Sequence, residues 1–332
     1  MTSPLSSPAP AAGTTSNLPT SPALPSTAPS TTTPNNLRDL AARYLESDGS
    51  GGWRTNEQAA LALEKAGPDA AAGLLPLLAD RQVEARRGAA YYLLGSFNAN
   101  DPAQVQAFSA LLGDADRTIR GIGLSAARQM RAEDQAAAVP RLAAMLDPAR
   151  EDKPANRETV ARLLAGLKTS AGESIEQLAA AAGGDPVASV RSACLIALAQ
   201  VAEPKQAAPL VAKGLADKEP AVRRVAAVRL RQIGAGSAPA GQELAAALAD
   251  SDPDVRAAAA ETLVKVGEPA VSHIVAQLAT DSLDARKLAL YCLINIGPAA
   301  KDAAPLVEKC LADNDPDVKK LAAVALASMR GK

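Results

Sequence analysis

Along most of the chain the apolar positions recur with a helical period, and a basic residue opens every second run. In "DSDPDVRAAAAETLVKVG", residues 250–267, Arg256 is followed by Ala259, Ala260, Leu263 and Val266, three, four, seven and ten positions on. That spacing places the four side chains on one face of a 3.6-residue helix. The residue before the basic one is usually apolar, as at Ile119, Val190, Val222, Val255 and Val318. Close copies appear as "DKEPAVRRVAAVRLRQIG" at 217–234 and "DNDPDVKKLAAVALASMRG" at 313–331. Ala lets neighbouring helices approach closely, and Leu fills the gaps between them. Gly234, Gly267 and Gly297 predict helix stops, because glycine enters left-handed backbone without a steric penalty.

Aligned on the basic residue, the second-helix openers are Arg86, Arg120, Arg157, Arg191, Arg223, Arg256, Arg286 and Lys319, at intervals of 34, 37, 34, 32, 33, 30 and 33 residues. A period in the low thirties marks a stacked two-helix unit that needs its neighbours to bury its faces. Each unit begins with a helix such as "AAPLVAKGLAD" (207–217) or "AAPLVEKCLAD" (303–313), followed by a short turn with Asp or Pro. An acid stands six positions before the basic residue in seven units, giving Asp80/Arg86, Asp114/Arg120, Glu151/Arg157, Asp185/Arg191, Asp217/Arg223, Asp250/Arg256 and Asp313/Lys319. The eighth has Thr280 there, with Asp281 one position late. Negative charge is favoured near a helix N-terminus. The basic side chain can reach the turn of its own or the next unit, so these pairs predict a ladder of charge-assisted hydrogen bonds that fixes the stacking register. The role is structural, not catalytic.

The run D-x-D-x-x-V-R-x-x-A-A-x-x-L-x-x-I-G, with its preceding A-x-P-x-L-x-x-x-L helix, resembles HEAT repeats, and most of all the short bacterial variety also found in phycobilin-lyase-like proteins. The resemblance covers about residues 56–330. It implies an all-α protein, a right-handed α-solenoid of about eight two-helix repeats over 56–332. Residues 37–55 read as a capping helix and loop. The family includes scaffolds, transport adaptors, lyase subunits and a few enzymes, so fold does not settle function.

Residues 1–36 read as a disordered tail. Ser, Thr and Pro make up 23 of them, and no charge appears before Arg38. Proline denies a regular helix, and too few large apolar groups exist to offset the ordering entropy. With no basic start and no apolar segment of signal-peptide length, the tail is not a signal peptide as written, and the chain reads as cytoplasmic. A true start upstream of Met1 would make export the alternative, because such linkers often follow export signals. Aromatics are only 2 % while hydrophobics reach 48 %, which favours small-residue helix packing over a thick globular core. A formal charge of −1 gives no general attraction to nucleic acid or anionic membrane, and no apolar run is long enough to span a bilayer. Residues 114–162 hold nine basic and eight acidic residues, and 205–265 hold nine and seven, so no block offers the basic groove that a HEAT-like DNA glycosylase would want.

Chemistry is sparse. Cys194, Cys292 and Cys310 lie inside helical patterns without CxxC spacing, which argues for packed thiols. His273 is the one histidine, so neither a multi-imidazole zinc site nor the His-Glu pairs of HEAT-like di-iron hydroxylases can be built. No nucleophile elbow and no phosphate-cradling glycine loop is present. No enzyme activity and no cofactor is expected.

In a HEAT-like solenoid the second helices line the inner surface. Five positions after the basic residue stand Tyr91, Ser125, Arg162, Ile196, Val228, Glu261, Tyr291 and Val324; eight after stand Leu94, Arg128, Ala165, Ala199, Arg231, Val264, Ile294 and Ala327. This surface is more apolar than solvation needs, unless the frame is one residue off and some of it faces the core, and Arg128, Arg162 and Arg231 add donors near its middle. Tyr91, Arg128, Arg162, Ile196, Val228, Arg231, Glu261 and Tyr291 are therefore the candidate contacts for a protein or peptide. Trp53, in "GSGGWRTN", reads as a cover for the terminal repeat, with a contact role as the alternative. The expected protein is a monomeric binding scaffold. A bilin-lyase-like subunit or chaperone holding a tetrapyrrole or client is the alternative that the resemblance supplies.

Overall fold

The computed structural model describes residues 34–50 and 52–331. Up to residue 33, the tail expected over 1–36 lies outside the described residues. Helix α1 (Pro34–Tyr44) leads into two short strands, β1 (Leu45–Ser47) and β2 (Trp53–Thr55), which pair antiparallel with Leu45 opposite Thr55. The segment read as a loop is thus a β-hairpin. Eight helical units follow. In the first, α2 (Glu57–Lys65) and α3 (Pro68–Leu74) lead into α4 (Val83–Leu94), and α5 (Pro102–Leu111) then precedes α6 (Arg117–Ala127). Next, α7 (Ala132–Ala137) and α8 (Val139–Ala144) precede α9 (Pro154–Leu167), and α10 (Ile175–Gly184) precedes α11 (Ala188–Val201). The fifth and sixth units pair α12 (Pro204–Ala212) with α13 (Pro220–Ile233), and α14 (Gly241–Ala246) with α15 (Pro253–Val266). The last two pair α16 (Val271–Ala276) with α17 (Leu283–Ile296), and α18 (Ala304–Lys309) with α19 (Pro316–Met329).

The second helices α4, α6, α9, α11, α13, α15, α17 and α19 stack on one another, so the fold is an α-solenoid. Its core is one continuous ribbon of buried Ala, Leu and Val running from Leu37 to Met329. The small side chains that set the repeat do the packing: Ala259, Leu263 and their counterparts Ala226, Leu230, Ala289 and Leu293 are fully buried. Helix α1 joins the stack as an extra second helix, pressed so close to α4 that a Cβ at Gly88 would run into the carbonyl of Ala41. Only glycine permits that approach. Asp116, Asp252 and Asp315 cap α6, α15 and α19 by accepting from backbone N–H groups of the first turn.

The turns carry the ladder, and its pairing runs between units. Arg86 forks onto the carboxylate of Asp114 at 2.9 and 3.1 Å, Arg157 onto Asp185 at 2.7 and 3.0 Å, Arg191 onto Asp217 at 2.6 and 2.8 Å, and Arg223 onto Asp250 at 2.7 and 3.0 Å. Arg120 meets Glu151 at 3.4 Å, and Arg286 lies 3.0 Å from Asp313. The acid six positions before each arginine offers that arginine its backbone carbonyl, as Asp80 does to Arg86 at 2.7 Å and Asp250 to Arg256 at 2.8 Å. The same carboxylate also accepts from the N–H two residues on, for example Asp217 from Glu219 at 2.9 Å. Each acid therefore organises its own turn and holds the preceding unit. The ladder begins one rung earlier than the sequence period indicates, with Arg38 of α1 gripping Asp80 at 2.9 and 2.8 Å. It ends at Asp313, because Lys319 has no ion-pair partner among the described residues. At Thr280 the rung is missing, and Arg256 turns instead to the exposed Asp284 at 3.3 Å. A parallel set of pairs joins the next residue along to the following cap: Arg87 to Asp116 at 2.6 Å and Arg224 to Asp252 at 3.1 Å.

Three expectations follow from these turns. Thr280→Asp should give Arg256 its carboxylate and raise the urea midpoint, by about 1 kcal/mol for a partly buried charge-assisted pair; an unchanged midpoint would mean that a rung adds nothing. Lys168 occupies the position eleven residues after Arg157, where Gly234, Gly267 and Gly297 stand in their units, and has φ 52° and ψ −136°. That region suits glycine alone, so Lys168→Gly should stabilise by roughly 1 kcal/mol after its own entropy cost, read from thermal melting. The hydrogen bonds from Arg191 hold the Asp217 carboxyl below its usual range. A depressed folded value means that its contribution is present above the ordinary carboxylate pKa and is lost as pH falls through the depressed one. Urea midpoints should therefore decline on acidification below about pH 4, and Asp217→Asn should lower the neutral-pH midpoint while making that decline shallower.

Candidate functional site

With the basic residue of a second helix pointing along the turns, its neighbours at positions −2, +1, +5 and +8 form the face turned away from the first helices. Positions +3 and +4 are buried in the stack at Ala259 and Ala260, whereas Glu261 at +5 is exposed. At +5, Tyr91 and Tyr291 are 47 % and 49 % exposed, which is unusual for aromatic rings in a chain that has so few. Ile196 and Val228 are half-buried between them.

The candidate residues fall into clusters. Arg128 caps the end of α6, exposed and without an ion-pair partner among the described residues, and with Arg162, Thr159 and Leu163 it borders a depression of about 330 Å³. A second trough of about 400 Å³ lies between α9 and α11, edged by Arg162 and Ile196 and floored by Ala165, Ser192 and Ala193. Arg162 is held by Glu158 at 3.0 Å, and Glu158 accepts in turn from the Ser189 hydroxyl at 2.5 Å. Arg231 pairs with Glu261 across the α13/α15 step at 3.2 Å. Tyr91 belongs to a different group: its ring lies 6.3 Å from Tyr44, which also meets Tyr92 edge-on at 5.6 Å. Tyr291, on α17, meets no other aromatic ring among the described residues.

The hairpin brings Trp53 onto the first two units. Trp53 lies over the Arg87 guanidinium at 4.0 Å, and its indole N–H donates to Thr118 Oγ1 at 3.2 Å. Arg87 is at +1 on α4 and Thr118 at −2 on α6, so the hairpin is seated on the same face as the candidate residues. The glycine-rich turn before Trp53 is the hairpin's one signal in the sequence.

The three cysteines are buried. Burial pushes the thiols of Cys194 and Cys292 up to about 12, and burial also raises that of Cys310, so none offers a thiolate at neutral pH. All three are free. The imidazole of His273 lies against Gly241. Among the described residues no cluster of His, Cys, Asp and Glu could hold a metal ion, and no helix is long and apolar enough to cross a membrane.

Residues 209–294 match the family model for HEAT repeats. The match is to the repeat in general and does not single out the phycobilin-lyase-like variety. No curated protein is detectably similar to the chain. Among solved structures, a Kap121p mutant is 14 % identical with a TM-score of 0.51, and the karyopherin Kap121p bound to the extreme C-terminus of the protein phosphatase Cdc14p is 13 % identical with a TM-score of 0.50. Each alignment covers 89 % of this chain and 37 % of the other, so the chain spans little more than a third of Kap121p. An engineered protein is similar over 90 % of this chain and 95 % of its own, at 18 % identity and a TM-score of 0.37. At such identities structural likeness speaks for the fold alone. Residues 209–294 are thus HEAT repeats by their family match, and the two-helix units on either side of them continue the same α-solenoid stack.

Proposed function

We propose that the chain is a non-enzymatic scaffold that binds a protein or peptide along the inner surface of the solenoid, the face of its second helices turned away from the first helices. The observation that carries this reading is the exposed surface itself, in which two troughs adjoin Arg128 and Arg162 with apolar and small residues between them. Guanidinium and tyrosyl groups concentrate binding energy because each joins a large contact area to a directional hydrogen bond. The arginines alternate with Glu158 and Glu261, a pattern suited to a polypeptide of mixed charge; a phosphate backbone would call for a field of one sign. A structurally similar karyopherin is bound to a phosphatase C-terminus, which accords with a peptide as ligand.

Changing Arg162 and Arg231 together to Glu should abolish capture of the native partner. The fold should lose little, since exposed ion pairs contribute about 0–1 kcal/mol each. Lys213 and Lys309, exposed on the first-helix side, serve as the control pair when changed to Glu. Equal loss from both pairs would reduce the effect to bulk charge, and loss from the control alone would move the binding surface to the other side of the solenoid.

A further inference from the structure

We infer that the trough between α9 and α11 is a second seat of the kind that Trp53 already fills, and that it receives an aromatic side chain, an indole above all, from a partner polypeptide. The inference rests on the scaffold reading and gives that surface an anchor chemistry.

The argument is the repeat's own geometry. At the α4/α6 step the indole of Trp53 lies over the +1 side chain, Arg87, and donates to the −2 hydroxyl, Thr118. At the α9/α11 step the +1 residue is Glu158 and the −2 residue is again a hydroxyl, Ser189. Ser189 spends its proton on Glu158 at 2.5 Å, which leaves its oxygen lone pairs free to accept from an indole N–H, as Thr118 does. The cation that faces the ring at the first step is replaced here by Arg162, exposed at +5 on the trough's edge. Ring against guanidinium is the pairing already present at Arg87. Space comes from composition: Ala165, Ser192 and Ala193 line a trough of about 400 Å³, enough for an aromatic group. Thus the trough supplies an acceptor and a cation, the two features that Trp53 uses two repeats upstream, and adds small apolar side chains beside them.

The test uses the full chain, labelled with ¹⁵N, titrated with a synthetic peptide of residues 45–56 as the probe and with its Trp53→Ala form as the comparison. The Trp peptide should shift the amides of Ser189, Ser192, Ala193 and Ile196, and the Ala peptide should not. Ser192→Trp in the protein, which fills the trough, should weaken the interaction about tenfold or more. Ser189→Ala, which removes only the acceptor, should weaken it by a smaller factor and serves if Ser192→Trp impairs folding. Shifts confined to Arg87 and Thr118, equal shifts from both peptides, or none at the trough would overturn the inference. So would tighter binding of a single-stranded oligonucleotide to the same amides, which would make the seat one for nucleobases. If the peptide fails while native capture still depends on Arg162 and Arg231, the indole seat is wrong and the scaffold reading stands.

Discussion

The solenoid depends on a guanidinium that is shared between two turns. Arg157 shows the arrangement at its most buried: Nη1 donates to the Glu151 carbonyl of its own turn at 2.7 Å, while the other two nitrogens fork onto Asp185 of the next. Its side chain is 2 % exposed and that of Asp185 is 0 % exposed. Desolvating such a pair costs several kcal/mol, so its net contribution to stability is modest, whereas removing one partner would strand a charge. What the pair gains is register. A planar fork satisfied on three sides fits only one offset between neighbouring units, and a stack of alanine-faced helices has little else to forbid sliding.

That division of labour explains the composition. Alanine and leucine supply the burial that drives stacking, and bulky aromatics are not needed where helices meet backbone to backbone, as at Gly88. Six of the seven aromatic residues, Tyr44, Trp53, Tyr91, Tyr92, Phe97 and Phe108, fall in the first units. There the stack starts and a hairpin must be anchored; Phe97 meets Phe108 edge-on at 5.0 Å. Beyond them the ladder and the small-residue core suffice.

The repeat, the two-helix unit and the acid–base spacing were all legible in the sequence, because each is a local periodicity. The direction of pairing was not. An acid six residues before an arginine looks like its partner, yet the turn brings that acid's carbonyl to the arginine and turns its carboxylate toward the preceding unit. Arg38 escaped for a related reason: it precedes Arg86 by 48 residues, a spacing lengthened by the hairpin, and has Thr32 where other units carry an acid. Lys168 conceals a glycine position because the backbone conformation there comes from the repeat, not from the residue. Trp53 was visible as a residue, but its seat on Arg87 and Thr118 joins segments up to 65 positions apart.

The inner face of the second helices is left to vary by the same constraint. Register is settled at the turns, helped where a +1 base such as Arg87 or Arg224 reaches the following cap, and apolar burial at positions such as +3, +4 and +7, so −2, +5, +8 and the remaining +1 positions are free to vary. In such a lattice each step can carry a different set of side chains on an unchanged backbone: Arg87 and Thr118 at one step, Glu158 and Ser189 at another, Arg231 and Glu261 further on. The hairpin shows that one of these steps is already used to hold an extended segment. A surface that binds part of its own chain in one period of a repeat presents the same geometry in the next, and only the side chains decide what will fit.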